Sequence, residues 1–258
     1  MEILNRNVLV TGAARGIGRA FAKMCAEDKA HLHLVVRKSD PELVKEMEDA
    51  GAKSVTLWRA DLSQRAEITS LINDLKDIPI DIIFNNAGQL TGGLIEEQPL
   101  DDIYNMFQVN VNALVHLTHG LLPGMLQRKR GKIINNSSVS AFMHFPSAST
   151  YAASKAAVAA FTDCIRLELK DTGVTTLLLI TPGIRTRMFD QISEKYSKNF
   201  EVPTDSISPG KYAQMIREAI LHDLEILEPS GVTGLGLKVA KFVKPLFEME
   251  VARRFKRS

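Results

Sequence analysis

The sequence predicts an α/β domain built on a doubly wound parallel sheet of about seven strands. Three observations predict it. Short β-branched and Leu-rich runs alternate with longer segments of helical period, the pattern of successive βαβ units. Several of these runs, VLV at 8–10 and TTLLLI at 175–180 among them, are apolar on successive residues, as strands covered by helices on both faces are. The chain has 258 residues, 45% of them apolar, enough for one well-buried core and no more than a single domain.

Taken in order, the strands are expected at residues 7–10, 31–36, 54–58, 81–85, 132–137, 175–180 and 225–228, with helices in the gaps. One long helix is expected at 100–127 and another at 150–170. The second is rich in small residues (Ala152, Ala153, Ala156, Ala157, Ala159, Ala160), which let a neighbouring helix approach closely, within the core or across a subunit boundary. Residues 184–209 are polar and irregular, longer than a typical connection, as lids and binding loops are. Nothing resembles an interdomain linker, so the chain divides into a body, 1–234, and a basic tail, 235–258.

Composition excludes several functions. A formal net charge of +2 offers no broad basic face for a phosphate backbone, so nucleic acid is not an expected partner. The charge is uneven: the tail carries seven Lys or Arg against Glu248 and Glu250, leaving the body net negative. Cys25 and Cys164 lie in helical segments without metal-ligand spacing and are both expected to be buried, reduced thiols. His116 and His119 lack the Cys or acid that completes a metal set, and His31 and His33 alternate on one strand face and read as packing. No metal site is expected. The N-terminus enters strand sequence at once, without the apolar stretch of a signal peptide, and no apolar run approaches the ~18 residues of a membrane span. The cytoplasm is the default compartment.

Five segments carry chemistry. The first strand runs into Thr11-Gly12-Ala13-Ala14-Arg15-Gly16-Ile17-Gly18 and then an amphipathic helix. Glycines let such a turn tighten and let backbone approach a pyrophosphate, while the helix N-terminus offers unpaired N–H groups. Asn85-Asn86-Ala87-Gly88 closes the fourth strand, and Asn135-Asn136-Ser137-Ser138 the fifth. Tyr151 and Lys155, spaced i, i+4, project from one helix face about one turn apart. A phenol of pKa near 10 is a poor proton donor-acceptor at neutral pH, and an adjacent ammonium favours its phenolate. Pro182-Gly183-Ile184-Arg185-Thr186 follows the sixth strand.

In this order, over about residues 7–188, these segments resemble the short-chain dehydrogenase/reductase family. The resemblance implies one Rossmann-type domain and an oxidoreductase that reduces a carbonyl to an alcohol, or the reverse. Thr11, Gly12, Arg15, Gly16, Ile17 and Gly18 would form the dinucleotide turn. Asp61 and Leu62 would meet the adenine, and Asn86, Ala87 and Gly88 the adenine ribose. Pro182, Gly183, Ile184 and Thr186 would lie along the nicotinamide, the last two at its carboxamide. Ser138 would hydrogen-bond the substrate carbonyl and Tyr151 would donate its proton. Lys155 would bind the nicotinamide ribose and lower the tyrosine pKa, and Asn110 (rather than Asn112) would hold a water joining Lys155 to solvent.

Cofactor choice follows from charge. The position that carries an acid in NAD-binding relatives corresponds to Val36, with Arg37 after it and Arg15 opposite, which favours a 2′-phosphate and hence NADP over NAD. The alternative is two solvated arginines. Lys29 stands where many relatives close the first helix with Gly, so a left-handed cap there costs roughly 1 kcal/mol.

Leu90, Met143, Phe145, Met188 and Phe189 would make an apolar pocket for a small-molecule carbonyl or alcohol, with His144 as a polar group in its wall. Family members are commonly dimers or tetramers built on the two long helices, so a homodimer or homotetramer is expected. A catalytically silent NADP-binding sensor or interaction protein is the alternative function. In the tail, Leu235, Val239, Phe242, Val243, Leu246 and Phe247 form a helical stripe interleaved with Lys238, Lys241 and Lys244, interrupted at Pro245. It is read either as packing on the body over the pocket or as a peripheral anchor on a membrane.

Overall fold

The computed structural model describes residues 1–186 and 206–254. Seven strands form one sheet: β1 (Asn7–Thr11), β2 (His31–Val36), β3 (Ser54–Arg59), β4 (Ile82–Asn85), β5 (Gly131–Asn136), β6 (Val174–Leu179) and β7 (Ile226–Leu227). All pairings are parallel, in the order β3-β2-β1-β4-β5-β6-β7. Each strand begins and ends within a residue of its expected position. The strand order reverses between β1 and β4, and ligands of open α/β sheets bind at the carboxyl ends of strands at such a reversal.

Helices cover both faces. On one side α1 (Gly16–Glu27) and α2 (Pro41–Asp49) are joined by α7 (Pro209–Leu221), and Phe21, Leu43 and Ile216 pack on Val8 and Val10. On the other lie α3 (Arg65–Leu75), α5 (Ala113–Gln127) and α6 (Ser149–Glu168), whose Leu71, Leu117 and Ile165 pack with Leu9. Val8, Leu9 and Val10 thus alternate between the two layers, as a strand's period of two requires.

The helix expected over 100–127 is interrupted. It consists of α4 (Leu100–Phe107), a π turn at Gln108–Asn112 and then α5. Lys29 does close α1 in the left-handed region, at φ 58°, with its N–H donating to the carbonyl of Ala26. One cysteine departs from expectation: Cys25 is buried but Cys164 is exposed, because the buried stripe of α6 runs through Val158, Ala159, Thr162 and Ile165 and leaves position 164 outside it.

The tail folds as two helices, α8 (Gly231–Phe242) and α9 (Lys244–Arg254), divided at Val243. Pro245 sits in the first turn of α9, where its missing N–H has no helical partner to lose, so the break precedes it. Leu237 and Ala240 pack against Met143, Leu178 and Ile180, and the Phe247 ring meets Phe145 edge-on at 5.7 Å. Three residues of the expected stripe do not face inward: Leu235, Phe242 and Val243 are exposed. The inward face of α8 is Gly234, Leu237 and Ala240, where small residues let the helix backbone come close. Lys256 and Arg257 lie outside the described residues. Among those described, no helix is long and apolar enough to cross a membrane.

Candidate active site

The site begins where β1 and β4 end side by side. Thr11 Oγ1 donates to the carbonyl of Phe84 and accepts from the N–H groups of Asn86 (2.9 Å) and Ala87 (3.0 Å). Asn86 Nδ2 in turn donates to the Thr11 carbonyl at 3.0 Å. The first turn of α1 is drawn against this junction. A Cβ on Gly18 would lie 2.3 Å from the Gly12 carbonyl oxygen, so only glycine fits. Asp40 and Ser208 cap α2 and α7 with their side chains, but the start of α1 has no side-chain cap. Its N–H groups are the donors that an anionic oxygen takes up at a helix N-terminus.

From this turn a cavity of about 920 Å³ runs along the carboxyl ends of the strands. Gly12, Arg15, Gly16 and Ile17 line one end, with Arg37, Asp61 and Leu62 beside them. Asn86, Ala87 and Gly88 line the middle. Ser138, Tyr151 and Lys155 line it too, with Pro182, Gly183, Ile184 and Thr186, the last of these reaching back to the glycine turn, where a Cβ on Gly16 would stand 3.3 Å from Thr186 Cγ2. Thr11, Gly18 and Asn110 stand behind this lining. Arg15 and Arg37 are exposed and form no ion pair among the described residues, whereas nearby Arg19 is held by Glu46 at 2.6 Å. Two guanidinium groups without an ion pair among the described residues, side by side on the cavity wall, are a donor set suited to a phosphate.

At the chemical end, Ser138 follows β5 and its Oγ accepts from the Ser140 N–H at 3.1 Å. Tyr151 and Lys155 project from the first turns of α6 and are both buried. Burial pushes the Tyr151 phenol up to about 12, opposed by a hydrogen bond with Ser138. Burial likewise lowers the Lys155 ammonium to about 8. Burial is the larger effect on the tyrosine here. Desolvation dominates, so at neutral pH the phenol keeps its proton while the lysine stays charged. Lys155 Nζ lies 5.7 Å from the Tyr151 ring centroid and donates to the Asn136 carbonyl at 2.8 Å.

Asn110 lies in the π turn and is buried, while Asn112 is exposed. Its amide group accepts from Gln89 N–H at 2.7 Å and donates to the Gln89 carbonyl and to Ser154 Oγ, each at 3.0 Å. A Cβ on Gly88 would stand 3.4 Å from Asn110 Oδ1 and 3.7 Å from Lys155 Nζ. The absence of a side chain at Gly88 keeps the space between them open.

Leu90, Met143 and Phe145 line the cavity as expected; Met188 and Phe189 lie outside the described residues. His144 does not line it. Met143 and Phe145 both turn inward, so the residue between them is exposed. Sequence reasoning missed the Asn136 carbonyl, which no side-chain motif advertises. It also missed Val232, Thr233 and Gly236 of α8 as cavity residues. Gly236, where a Cβ would stand 3.2 Å from Met143 Cε, was the available signal that this helix packs closely. Among the described residues no three His, Cys, Asp or Glu side chains group as a metal site.

Comparison with known proteins agrees with this geometry. The chain is 31% identical over 227 residues to an oxidoreductase of Staphylococcus saprophyticus, covering 85% of this chain and 91% of that one. It is 32% identical over 185 residues to the ketoacyl reductase HetN of a Nostoc species, covering 70% of this chain and 64% of the relative. A short-chain dehydrogenase from Sphingobium yanoikuyae, solved with NADPH, superimposes with a TM-score of 0.80 at 23% identity over 98% of this chain and 97% of its own, a likeness of fold. Residues 6–197 match the short chain dehydrogenase family. With that match over most of its length, and with an oxidoreductase relative that aligns along 91% of its own, the chain belongs to the short-chain dehydrogenase/reductase family of oxidoreductases.

Proposed function

We propose that this oxidoreductase is an NADPH-dependent carbonyl reductase acting on an apolar ketone, aldehyde or 3-oxoacyl compound. The observation that carries the reading is the convergence of Ser138, Tyr151 and Lys155 on the wall of the same cavity that Arg15 and Arg37 also line. The ketoacyl reductase relative and the NADPH-bound structural neighbour are in keeping with it.

A bound nicotinamide supplies the hydride. The chain supplies the proton and the environment. Tyr151, held neutral by burial, donates its O–H to the carbonyl oxygen, and Ser138 hydrogen-bonds the same oxygen as negative charge develops on it. The Lys155 ammonium then faces the phenolate left behind and stabilises it, while holding the ribose on the nicotinamide side. Gly12, Gly16 and the first turn of α1 take the pyrophosphate, Arg15 and Arg37 the 2′-phosphate, and Asp61 and Leu62 the adenine. Asn86, Ala87 and Gly88 line the adenine ribose, and Pro182, Gly183, Ile184 and Thr186 the nicotinamide. Lys155 passes a proton back to the phenolate and regains one from solvent through a water held by Asn110, which Gln89 and Ser154 fix in place. Leu90, Met143 and Phe145 select an apolar substrate. The exposed Leu100 and Tyr104 on α4 and Leu167 on α6 support assembly as a homodimer or homotetramer, which sedimentation velocity tests.

The experiment is NADPH oxidation by the purified protein against a panel of ketones, aldehydes and acyl thioesters. Turnover of an apolar member supports the reading. NADPH binding with no turnover of any member points instead to a silent NADP-binding protein.

A further inference from the structure

Helix α8 is apolar on both faces. Inward, Gly234, Leu237 and Ala240 meet the body. Outward, Val232, Leu235 and Phe242 are 79%, 65% and 83% exposed, and Val243 and Met249 continue the surface into α9. Spacings of three, four and seven put Val232, Leu235, Val239 and Phe242 on one side of the helix. An amphipathic surface helix of a soluble domain keeps that side polar, and a contiguous apolar surface of this kind marks an interaction site.

Charge identifies the occupant. The segment 235–258 carries seven Lys or Arg against two Glu, in a chain whose remainder is net negative. Lys238 borders the exposed stripe, and Lys244 and Arg253 stand on α9 in exposed pairs with Glu248 and Glu250, which are weak enough at a surface to exchange for lipid phosphates. A two-fold contact between copies would set this positive segment against itself. An anionic lipid surface complements both properties, taking apolar side chains below the headgroups and basic ones among them.

Position connects the face to the cavity. Val232, Thr233 and Gly236 line the cavity, and a Cβ on Gly236 would lie 3.2 Å from Met143 Cε. Val232 therefore belongs both to the cavity rim and to the outward apolar surface.

We propose that α8 and α9 dock the protein on an anionic bilayer, with the substrate end of the cavity opening beside the docked face, so that lipophilic carbonyl compounds dissolved in the membrane reach Tyr151 without crossing water. The docking half rests on the surface alone; the substrate half rests also on the carbonyl-reductase reading.

The test is co-sedimentation of the full-length protein with vesicles of phosphatidylcholine alone or mixed with phosphatidylglycerol, at low and high salt, beside the double variant Leu235→Gln/Phe242→Gln. Neither residue lines the cavity, and NADPH binding and thermal melting check that the variant folds. Wild type is expected to partition at least tenfold more onto the anionic vesicles, to be released by salt, and to lose that excess in the double variant. No binding by wild type at low salt overturns the docking. So does equal binding by the two proteins, or a loss of self-association in the variant with no vesicle binding by either. A second arm compares turnover of a long-chain ketone carried in the vesicles with that of a short water-soluble one. A variant slowed only on the vesicle-borne ketone supports entry from the bilayer, and equal slowing on both overturns it. If neither ketone reacts with wild type, the carbonyl-reductase reading and substrate entry from the bilayer fail together, and the sedimentation result on docking stands by itself.

Discussion

Lys155 is held by the main chain of Asn136, whose carbonyl accepts from its Nζ at 2.8 Å. Asn136 is itself fixed from two sides: its Nδ2 donates to Asn86 Oδ1 at 3.2 Å, and its Oδ1 accepts from Thr181 Oγ1, which also shares a hydrogen bond with the buried Tyr212 hydroxyl at 2.9 Å. The lysine therefore depends on a polar chain that reaches into α7.

Loosening that anchor, by removing the side-chain bonds that fix the Asn136 main chain, is expected to act on cofactor binding and its pH dependence. With the Lys155 ammonium lowered to about 8, NADPH affinity is expected to fall as pH rises through 8 and the charge is lost. Asn136→Leu is expected to raise the dissociation constant several-fold and move that midpoint. Titration of NADPH fluorescence between pH 6.5 and 9.5 measures both, and an unchanged midpoint denies the anchor its role.

Tyr151→Phe removes the proton donor and leaves the cofactor contacts in place. The expected result is a fall in kcat of about a hundredfold or more, in the range of general acid catalysis, with the NADPH dissociation constant within a factor of about two. Single-turnover kinetics on any accepted ketone reads it. A variant keeping more than about a tenth of wild-type kcat, a loss below ~1.4 kcal/mol in barrier, assigns the acid elsewhere.

Arg37→Asp deletes one of the two cavity arginines that form no ion pair among the described residues and adds repulsion. The preference for NADPH over NADH is expected to shrink at least tenfold, mostly by weaker NADPH binding. Equal affinities of the unmodified protein for both dinucleotides would rule out the phosphate site.

A stability prediction concerns His33. Burial, and beyond it the neighbouring His31, lower His33 to about 4. Its Nδ1 accepts from Trp58 Nε1 at 3.3 Å and its Nε2 faces Asn7 Oδ1 at 3.1 Å, an arrangement for the neutral ring. The folded-state value lies below the ordinary 6.5, so the contribution is complete above pH 6.5 and is lost as pH falls towards 4. The loss is of order 2–3 kcal/mol. Urea unfolding at pH 7 and 4.5, followed by Trp58 fluorescence, is expected to show it in wild type and not in His33→Gln.

The strands and most of the site were legible because each rests on a local signal. Apolar runs mark β1 to β6, and the glycine turn, the Asn-Ala-Gly segment and the Tyr-x-x-x-Lys pair each keep a fixed spacing. What escaped depends on contacts between distant segments. His144 faces out because Met143 and Phe145 take the inward positions, and Cys164 is exposed because packing chose another stripe of α6. The Asn136 carbonyl is a main-chain group whose partner lies nineteen residues away. The tail helix followed the expected period but turned another side inward, since Gly234, Leu237 and Ala240 take the buried positions of α8.

The π turn at Gln108–Asn112 sets the site's tolerance to insertion and deletion. A π turn holds one residue more than an α turn, so deleting a single residue there would let α4 and α5 merge into one continuous helix. That change would leave α4 and α5 in nearly their present phase and abolish the bulge that holds Asn110 against Gln89 and Ser154, whereas the same deletion within α4 or α5 would rotate the residues beyond it by about 100°. In this stretch the spacing of the chain matters as much as the identity of its residues, and a change of length is a more severe mutation than most substitutions.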